Sequence, residues 1–268
     1  MLHRQPERLM ITGASGSIGR ALACHYATPG VSLYLLGRNL TELALTAASC
    51  KALGANVQYD SLDFLDVDAT NKWVNALSAD QTPDLLIINA GLNHHINDTQ
   101  FDSSQNEDAE LSHQVLMVNL MSAIKLVQGV VPLMQARGSG QIALISSLAA
   151  WRGLPHTPSY CASKAGLKAY GESLRMALEP SNIKVNVVLP GYVESAMCNA
   201  MPGPKPWVLK PEQAAQRIAS GLAKNHGRIT FPFWLSFGTQ LLSIMPDTWA
   251  IRVLKWLGYG VKRRETGR

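Results

Sequence analysis

Arg8-Leu-Met-Ile-Thr12-Gly13-Ala-Ser-Gly16-Ser-Ile-Gly19-Arg20-Ala-Leu-Ala-Cys-His-Tyr26 is the stretch that decides the fold of this chain. It reads as a short apolar strand, Arg8 to Thr12, a glycine-rich turn, and a helical run from Arg20 to Tyr26. Glycines between a strand and a helix permit a tight turn and let backbone N–H groups approach a pyrophosphate at the helix N-terminus. Gly19 further allows the helix to pack closely on the sheet. A generic glycine-rich turn would show the same composition. The placement between strand and helix at the chain start favours a dinucleotide site.

Outward from this stretch, Val31 to Leu36 forms a second strand, ending in Gly37-Arg38-Asn39. In a dinucleotide fold this strand end faces the adenosine ribose, where an acid binds a free 2′-hydroxyl and an arginine suits a 2′-phosphate. The acid is missing here, and Arg38 points to NADP(H) rather than NAD(H). A helix is expected over residues 40–53 and a strand over 57–59. Asp63-Phe64-Leu-Asp66 then offers polar and apolar groups to flank an adenine. A fourth strand, Asp84 to Ile88, ends in Asn89-Ala90-Gly91, small enough for backbone to come near a ribose. Strands alternating with helices imply an α/β domain with a doubly wound parallel sheet of Rossmann type and ligands at the strands' carboxyl ends.

The segment 108–137 reads as one helix, with interruptions expected near Gly129 and Pro132. Asn119 is unusual in its apolar interior, since a buried amide needs partners; it is either a structural amide or a holder of water. Ile142 to Ile145 is a buried strand that delivers Ser146-Ser147. A helix begins near Pro158-Ser159 and runs to Leu178. Tyr160 and Lys164 are four apart on it, so they share one face. A phenol titrates near pH ~10, and a neighbouring ammonium can draw it toward the range of an acid/base catalyst, with the Ser147 hydroxyl beside it. Ile183 to Leu189 is a further strand, ending at Pro190-Gly191. Residues 192–211, rich in Pro, Met and small side chains, read as a mobile substrate lid with little regular structure. A helix over 212–224 and a strand over 228–231 close the fold.

Taken in order, Thr12-Gly13 through Gly19, Asn89-Ala90-Gly91, Asn119, Ser147, Tyr160-x-x-x-Lys164 and Pro190-Gly191 resemble the motifs of the short-chain dehydrogenase/reductase family in its compact single-domain branch. Ser147 precedes Tyr160 by 13 positions, as the family's serine does. The resemblance spans roughly residues 8–231 and implies hydride transfer between a nicotinamide cofactor and a carbonyl or alcohol. It assigns Tyr160 as acid/base, Ser147 as the group that orients the carbonyl, Lys164 as ribose ligand and modulator of the tyrosine, and Asn119 as anchor of a relay water. It places Gly13, Ser15, Ser17, Ile18, Gly19, Arg38, Asp63, Phe64, Asn89, Ala90 and Gly91 against the cofactor. Tyr160, Lys164, Pro190, Gly191, Val193 and Ser195 join them there. Two features depart from the branch. The glycine spacing Gly13-x-x-Gly16-x-x-Gly19 is that of the longer sugar-nucleotide epimerase and dehydratase branch, and the threonine expected after Pro190-Gly191 is Ser195. A same-fold epimerase or dehydratase and a cofactor-binding sensor without turnover are the alternative readings. The sensor is disfavoured by the intact Tyr–Lys pair.

The 268 residues, 47% of them hydrophobic, suffice for one large domain. A net charge of +5 is diffuse and does not call for nucleic acid, though it suits a phosphorylated cofactor or an anionic surface. Four dispersed cysteines argue for reduced thiols in a cytoplasmic setting, with Cys161 a packed residue. His94, His95 and His156 lack a companion ligand set, so no metal is expected. The catalytic domain is expected over 1–231, including the substrate loop 192–211, and a hydrophobic, basic-ended extension over 232–268. The extension holds Trp249, Val253 and Trp256 on one apolar face, with Arg252, Lys255, Lys262, Arg263 and Arg264 around it. A cap over the substrate loop, a subunit interface and an interfacial membrane helix compete for it, with protein packing preferred. The expected partners are a small carbonyl or alcohol, a second or further copies in a homodimer or homotetramer, and possible peripheral contact with the inner face of a membrane.

Overall fold

Seven parallel strands form one sheet in the order β3-β2-β1-β4-β5-β6-β7. They are β1 (Arg8–Thr12), β2 (Ser32–Gly37), β3 (Asn56–Ser61), β4 (Leu85–Ile88), β5 (Gly140–Ile145), β6 (Ile183–Pro190) and β7 (Arg228–Phe231). The computed structural model describes residues 6–93, 107–201 and 203–259. Arg4, His94, His95, Lys262, Arg263 and Arg264 lie outside the described residues, as does the end of the extension.

The strands read as continuous apolar runs because both of their faces are buried. Leu9 and Ile11 of β1 point to one core and Met10 to the other; in β4, Leu85 and Ile87 alternate with Leu86 and Ile88 in the same way. On the first face lie α1 (Ser17–Tyr26), α2 (Leu40–Ala52) and α8 (Pro211–Ala223), with Leu22, Leu43 and Ile218 buried against the sheet. The second face carries α3 (Val67–Asn75), α4 (Ala109–Leu116), α5 (Ser122–Arg137) and α6 (Pro158–Leu178). The chain runs outward from β1 through β2 to β3, then returns to β4 on β1's other side. That reversal opens a crevice at the strand ends where a doubly wound fold takes its ligand.

Three elements differ from the sequence expectation. Helix α3 was not anticipated; only Thr70 and Val74 are buried on it, and its start is fixed by Asp66, whose side chain accepts from Ala69 N at 2.8 Å. The helical run 109–137 is interrupted at a π-helical turn, Met117–Met121, and not at Gly129 or Pro132. Pro132 lies within α5 with its ring exposed. Gly129 serves packing instead, since a Cβ there would fall 2.1 Å from Val74 Cγ1 of α3. By length and composition this run could cross a membrane, but Leu126, Val127, Val130 and Met134 are buried as in a core helix. The substrate loop, expected to lack regular structure, contains α7 (Ala196–Ala200) and a bridge between Val193 and Leu209. Two more helices follow, α9 (Phe233–Ile244) and α10 (Asp247–Trp256).

Asp84 ties three elements at the edge opposite the crevice. Its carboxylate accepts from Glu7 N (3.0 Å) and Arg8 N (2.9 Å) at the start of β1, and from the Arg137 guanidinium (3.0 Å) at the end of α5. Charge-assisted bonds at a half-buried site contribute more than neutral ones. Asp84→Ala is expected to lower the unfolding free energy by about 1–2 kcal/mol, read by urea denaturation with an unchanged slope. A loss indistinguishable from zero would show that these contacts exchange freely with water.

Candidate active site

The turn after β1 is shaped by two close approaches. Gly13 has φ +64°, and a Cβ on it would lie 2.8 Å from Ala90 Cα. A Cβ on Gly19 would lie 2.2 Å from the Gly13 carbonyl oxygen, so α1 could not seat on the turn with any larger residue. Gly16 differs, because the nearest atom to a Cβ there is 3.4 Å away, an ordinary contact. The turn is braced from β4. Thr12 Oγ1 accepts from Asn89 N (2.9 Å) and Ala90 N (3.0 Å), while Asn89 Nδ2 donates to the Thr12 and Gly13 carbonyls at 3.2 and 3.1 Å. Helix α1 opens with no side-chain cap and no acidic residue in its first turn. Its first N–H groups and partial positive charge therefore face the crevice, a setting for an anion.

Arg38, just past β2, is exposed and lines the crevice, with its carbonyl held by Ser61 Oγ at 2.9 Å. Among the described residues no carboxylate pairs with its guanidinium, whereas nearby Arg20 is engaged by Glu42 and by Thr46 Oγ1 at 3.2 Å. Asp63 and buried Phe64 line the crevice as well, but Asp63 Oδ1 accepts from Leu65 N at 3.0 Å, which turns the carboxylate toward its own loop. Asp66 caps α3 and does not line the crevice.

The second half of the site is built on β5 and α6. Glu107 fixes the start of α6, its carboxylate accepting from Ser159 N (3.0 Å) and Ser159 Oγ (2.6 Å). Within the helix, Tyr160 and Lys164 both reach the crevice. Lys164 is 4% exposed, and its ammonium donates to the Ile145 carbonyl at 2.9 Å, 5.7 Å from the centre of the Tyr160 ring. Ser146 Oγ donates to the Lys164 carbonyl at 2.7 Å, pinning the helix to the strand end. The Ser147 hydroxyl lies close enough to the Tyr160 phenol to oppose its upward shift, and it accepts from Ala149 N at 3.1 Å. Burial pushes the Tyr160 phenol up to about 12, against the opposing Ser147 hydrogen bond. Burial also pulls the Lys164 ammonium down to about 8. The spacing alone implied a phenol lowered by its lysine; here burial raises the phenol instead, and the ammonium is turned toward Ile145.

Two of the anticipated residues do not line the crevice. Gly19 acts through its approach to Gly13. Asn119 is fully buried in the π-helical turn, where its Nδ2 donates to Leu92 O (2.9 Å) and Ser163 Oγ (3.0 Å) and its Oδ1 accepts from Leu92 N (2.6 Å). Its side chain thus supports the strip after β4 and the Tyr160 helix. Ser15, Ser17, Ile18, Ala90, Gly91, Pro190, Gly191, Val193 and Ser195 all line the crevice. The Ser195 hydroxyl is engaged within its own loop, accepting from Cys198 N (2.9 Å) and donating to Val193 O (3.3 Å). Cys161 is buried, its sulfur accepting from Leu154 N at 3.3 Å. Among the described residues no His, Cys, Asp and Glu cluster could hold a metal.

The crevice broadens into a cleft of about 1550 Å³ whose far wall comes from the extension. Trp234, Leu235, Leu242 and Met245 of the α9 segment and Val253, Leu254 and Leu257 of the α10 segment face it. The Tyr192 hydroxyl donates to Tyr259 at 3.2 Å, and the Tyr259 hydroxyl donates to Pro204 O at 2.9 Å, joining loop to extension. The sequence offered the extension as a cap over the substrate loop but named only Val253 of these wall residues, and placed it on one face with Trp249 and Trp256; the fold turns Val253 to the cleft and both tryptophans outward. Only Tyr192, directly after Pro190-Gly191, carried a local signal.

A profile of the short chain dehydrogenase family matches residues 7–203. The chain belongs to the short-chain dehydrogenase family. As a member it is an oxidoreductase of carbonyl and alcohol groups. It is 30% identical over 239 residues to an uncharacterized oxidoreductase of Myxococcus xanthus, covering 89% of this chain and 92% of that one. In fold it resembles a short-chain dehydrogenase from Sphingobium yanoikuyae in complex with NADPH, with a TM-score of 0.74, 23% identity, and 90% and 96% of the two chains covered. L-sorbose reductase from Gluconobacter frateurii, complexed with NADPH and L-sorbose, gives a TM-score of 0.73 at 22% identity over 86% and 96% of the chains.

The buried lysine of this short-chain dehydrogenase has a measurable consequence for stability. Lys164 titrates at about 8 when folded against 10.5 in its ordinary state, so between those values the unfolded chain binds more protons. Stability linked to Lys164 therefore rises with pH across that window, and its penalty is full below pH 8. Lys164→Met removes the penalty. The melting temperature of the cofactor-free variant, relative to the parent, is expected to be highest at neutral pH and to fall as pH rises toward about 10. A difference that does not change with pH would place the ammonium at its ordinary value.

Proposed function

We propose that the protein is an NADP(H)-dependent oxidoreductase in which Tyr160 exchanges the proton of a carbonyl–alcohol pair. The observation that carries this reading is the convergence of three groups on one cleft: the Tyr160 phenol, the Ser147 hydroxyl beside it, and the buried Lys164 ammonium. The residues fit a dinucleotide. Gly13 and Gly19 leave no room for side chains where backbone must approach a diphosphate, and the uncapped start of α1 offers N–H donors. Unpaired Arg38 at the end of β2 suits a 2′-phosphate, and the NADPH held by the two similar structures agrees with that preference. Asp63 and Phe64 would flank the adenine, and Gly91, Lys164, Pro190, Gly191, Val193 and Ser195 the nicotinamide half. NADPH, when bound, supplies the hydride.

The protein's own groups supply the rest. Ser147 holds and polarises the substrate oxygen, and Tyr160 delivers a proton to it. A phenol held up to about 12 keeps its proton at neutral pH, so the group that delivers the proton is present there in its protonated form. Asn119 keeps Leu92 and the Tyr160 helix in register; a role for it in holding water belongs to the same proposal. The cleft's wall of Trp234, Leu242, Met245 and Leu254 suits a ketone on an apolar body. A sugar-nucleotide epimerase was favoured only by the position of Gly16, and Gly16 has room for a side chain, so that spacing imposes no requirement of its own.

Two expected outcomes test the reading. Purified protein binds NADPH about tenfold or more tightly than NADH, and Arg38→Ala removes most of that preference, as titration of cofactor fluorescence would show. Equal affinities in the parent would end the assignment. With a panel of apolar ketones followed by NADPH absorbance, Tyr160→Phe retains cofactor binding but loses turnover by about a hundredfold or more. Full turnover in that variant would remove the phenol from the chemistry.

A further inference from the structure

Nine of the twenty exposed large hydrophobic side chains among the described residues fall between Phe233 and Leu257. Helix α9 carries no charged residue, and it turns Phe233 (69% exposed), Phe237 and Ile244 (79%) away from the cleft. Helix α10 does the same with Trp249 (62%), Ile251 and Trp256 (83%). Phe233 packs only along its own helix, on Trp234 and Phe237, and among the described residues these side chains stay largely exposed, while the opposite faces of the two helices wall the cleft. A concentration of this kind marks an interaction surface.

Its charge distinguishes the partners. Arg252 and Lys255 are exposed among the apolar residues of α10, and the sequence from Thr248 to Arg264 holds five basic residues and no acidic one. Pairing this face with its own copy would bring like charges together, whereas an anionic lipid surface would neutralise them. Exposed tryptophans prefer the boundary between lipid headgroups and acyl chains, where the ring is buried and its N–H stays wet. At 12 and 10 residues, α9 and α10 are too short to span a bilayer and of a length to lie in its surface. Trp234, Leu241 and Leu257 both line the cleft and are exposed, so the cleft mouth is continuous with this face.

We infer that the outer face of α9 and α10 docks on an anionic membrane surface, with the cleft mouth opening toward lipid. The docking does not depend on the proposed reaction, and its test needs neither cofactor nor substrate. The parent chain is expected to sediment with phosphatidylcholine vesicles containing phosphatidylglycerol. It should do so about tenfold less with phosphatidylcholine alone or in high salt. Brominated lipid should quench its tryptophan fluorescence. The triple variant Ile244→Ser, Trp249→Ser, Trp256→Ser, none of which lines the cleft, is expected to lose about tenfold or more of the binding with its melting profile kept. Should that variant fail to fold, Arg252→Gln with Lys255→Gln decides, losing vesicle binding while the fold is retained. A parent that stays in the supernatant overturns the inference, as does binding that survives in the folded variants. A parent dimer that becomes a monomer in the triple variant, without vesicle binding, overturns it in favour of a second copy.

Discussion

A hydrogen atom is all that fits on the Cα of Gly19, because a carbon there would lie 2.2 Å from the Gly13 carbonyl oxygen. This contact sets how near α1 comes to the end of β1, and much else follows from it. The Gly13 carbonyl, held by α1 on one side, is held on the other by Asn89, so the ends of β1 and β4 are joined around one turn. The open N–H groups of α1 then point into the gap where the sheet order reverses. Phosphate chemistry at this place depends on backbone geometry more than on any charged side chain.

The other half of the cleft depends on burying a cation. Lys164 is held by the Ile145 carbonyl, and the same stretch of chain supplies Ser146 to grip the helix and Ser147 to meet the tyrosine. One strand end thereby positions three functions. Burial pulls both titrating groups toward their neutral forms, the phenol up and the ammonium down. The protein accepts a less stable lysine in order to keep a positive charge within reach of the phenol.

Much of this is legible in the sequence. The doubly wound sheet followed from apolar runs buried on both faces, and the Tyr160–Lys164 pair from one turn of helix. What could not be read depends on contacts between distant segments. Helix α3 buries too little apolar surface to announce itself, and its Asp66 cap looked like a candidate adenine contact. Gly129 resembled a helix breaker but makes room for Val74. The extension showed its composition plainly, and a cap over the substrate loop was among its readings, yet nothing local revealed which side of α9 and α10 would wall the cleft. Asn119 was visible as an oddity, while its partners Leu92 and Ser163 lie 27 and 44 residues away.

The π-helical turn at Met117–Met121 holds one residue more than an α-helix needs to cover the same rise. It leaves α4 and α5 in the phase their packing requires and confines the surplus to a single widened turn. Deleting one residue there would restore an unbroken helix with both flanking faces in phase, at the cost of the buried amide's partners. The Asn119 side chain would be rotated out of reach of Leu92 and Ser163, and the strip beside Lys164 would lose its anchor. One surplus residue thus sets where the Asn119 amide meets Leu92 and Ser163.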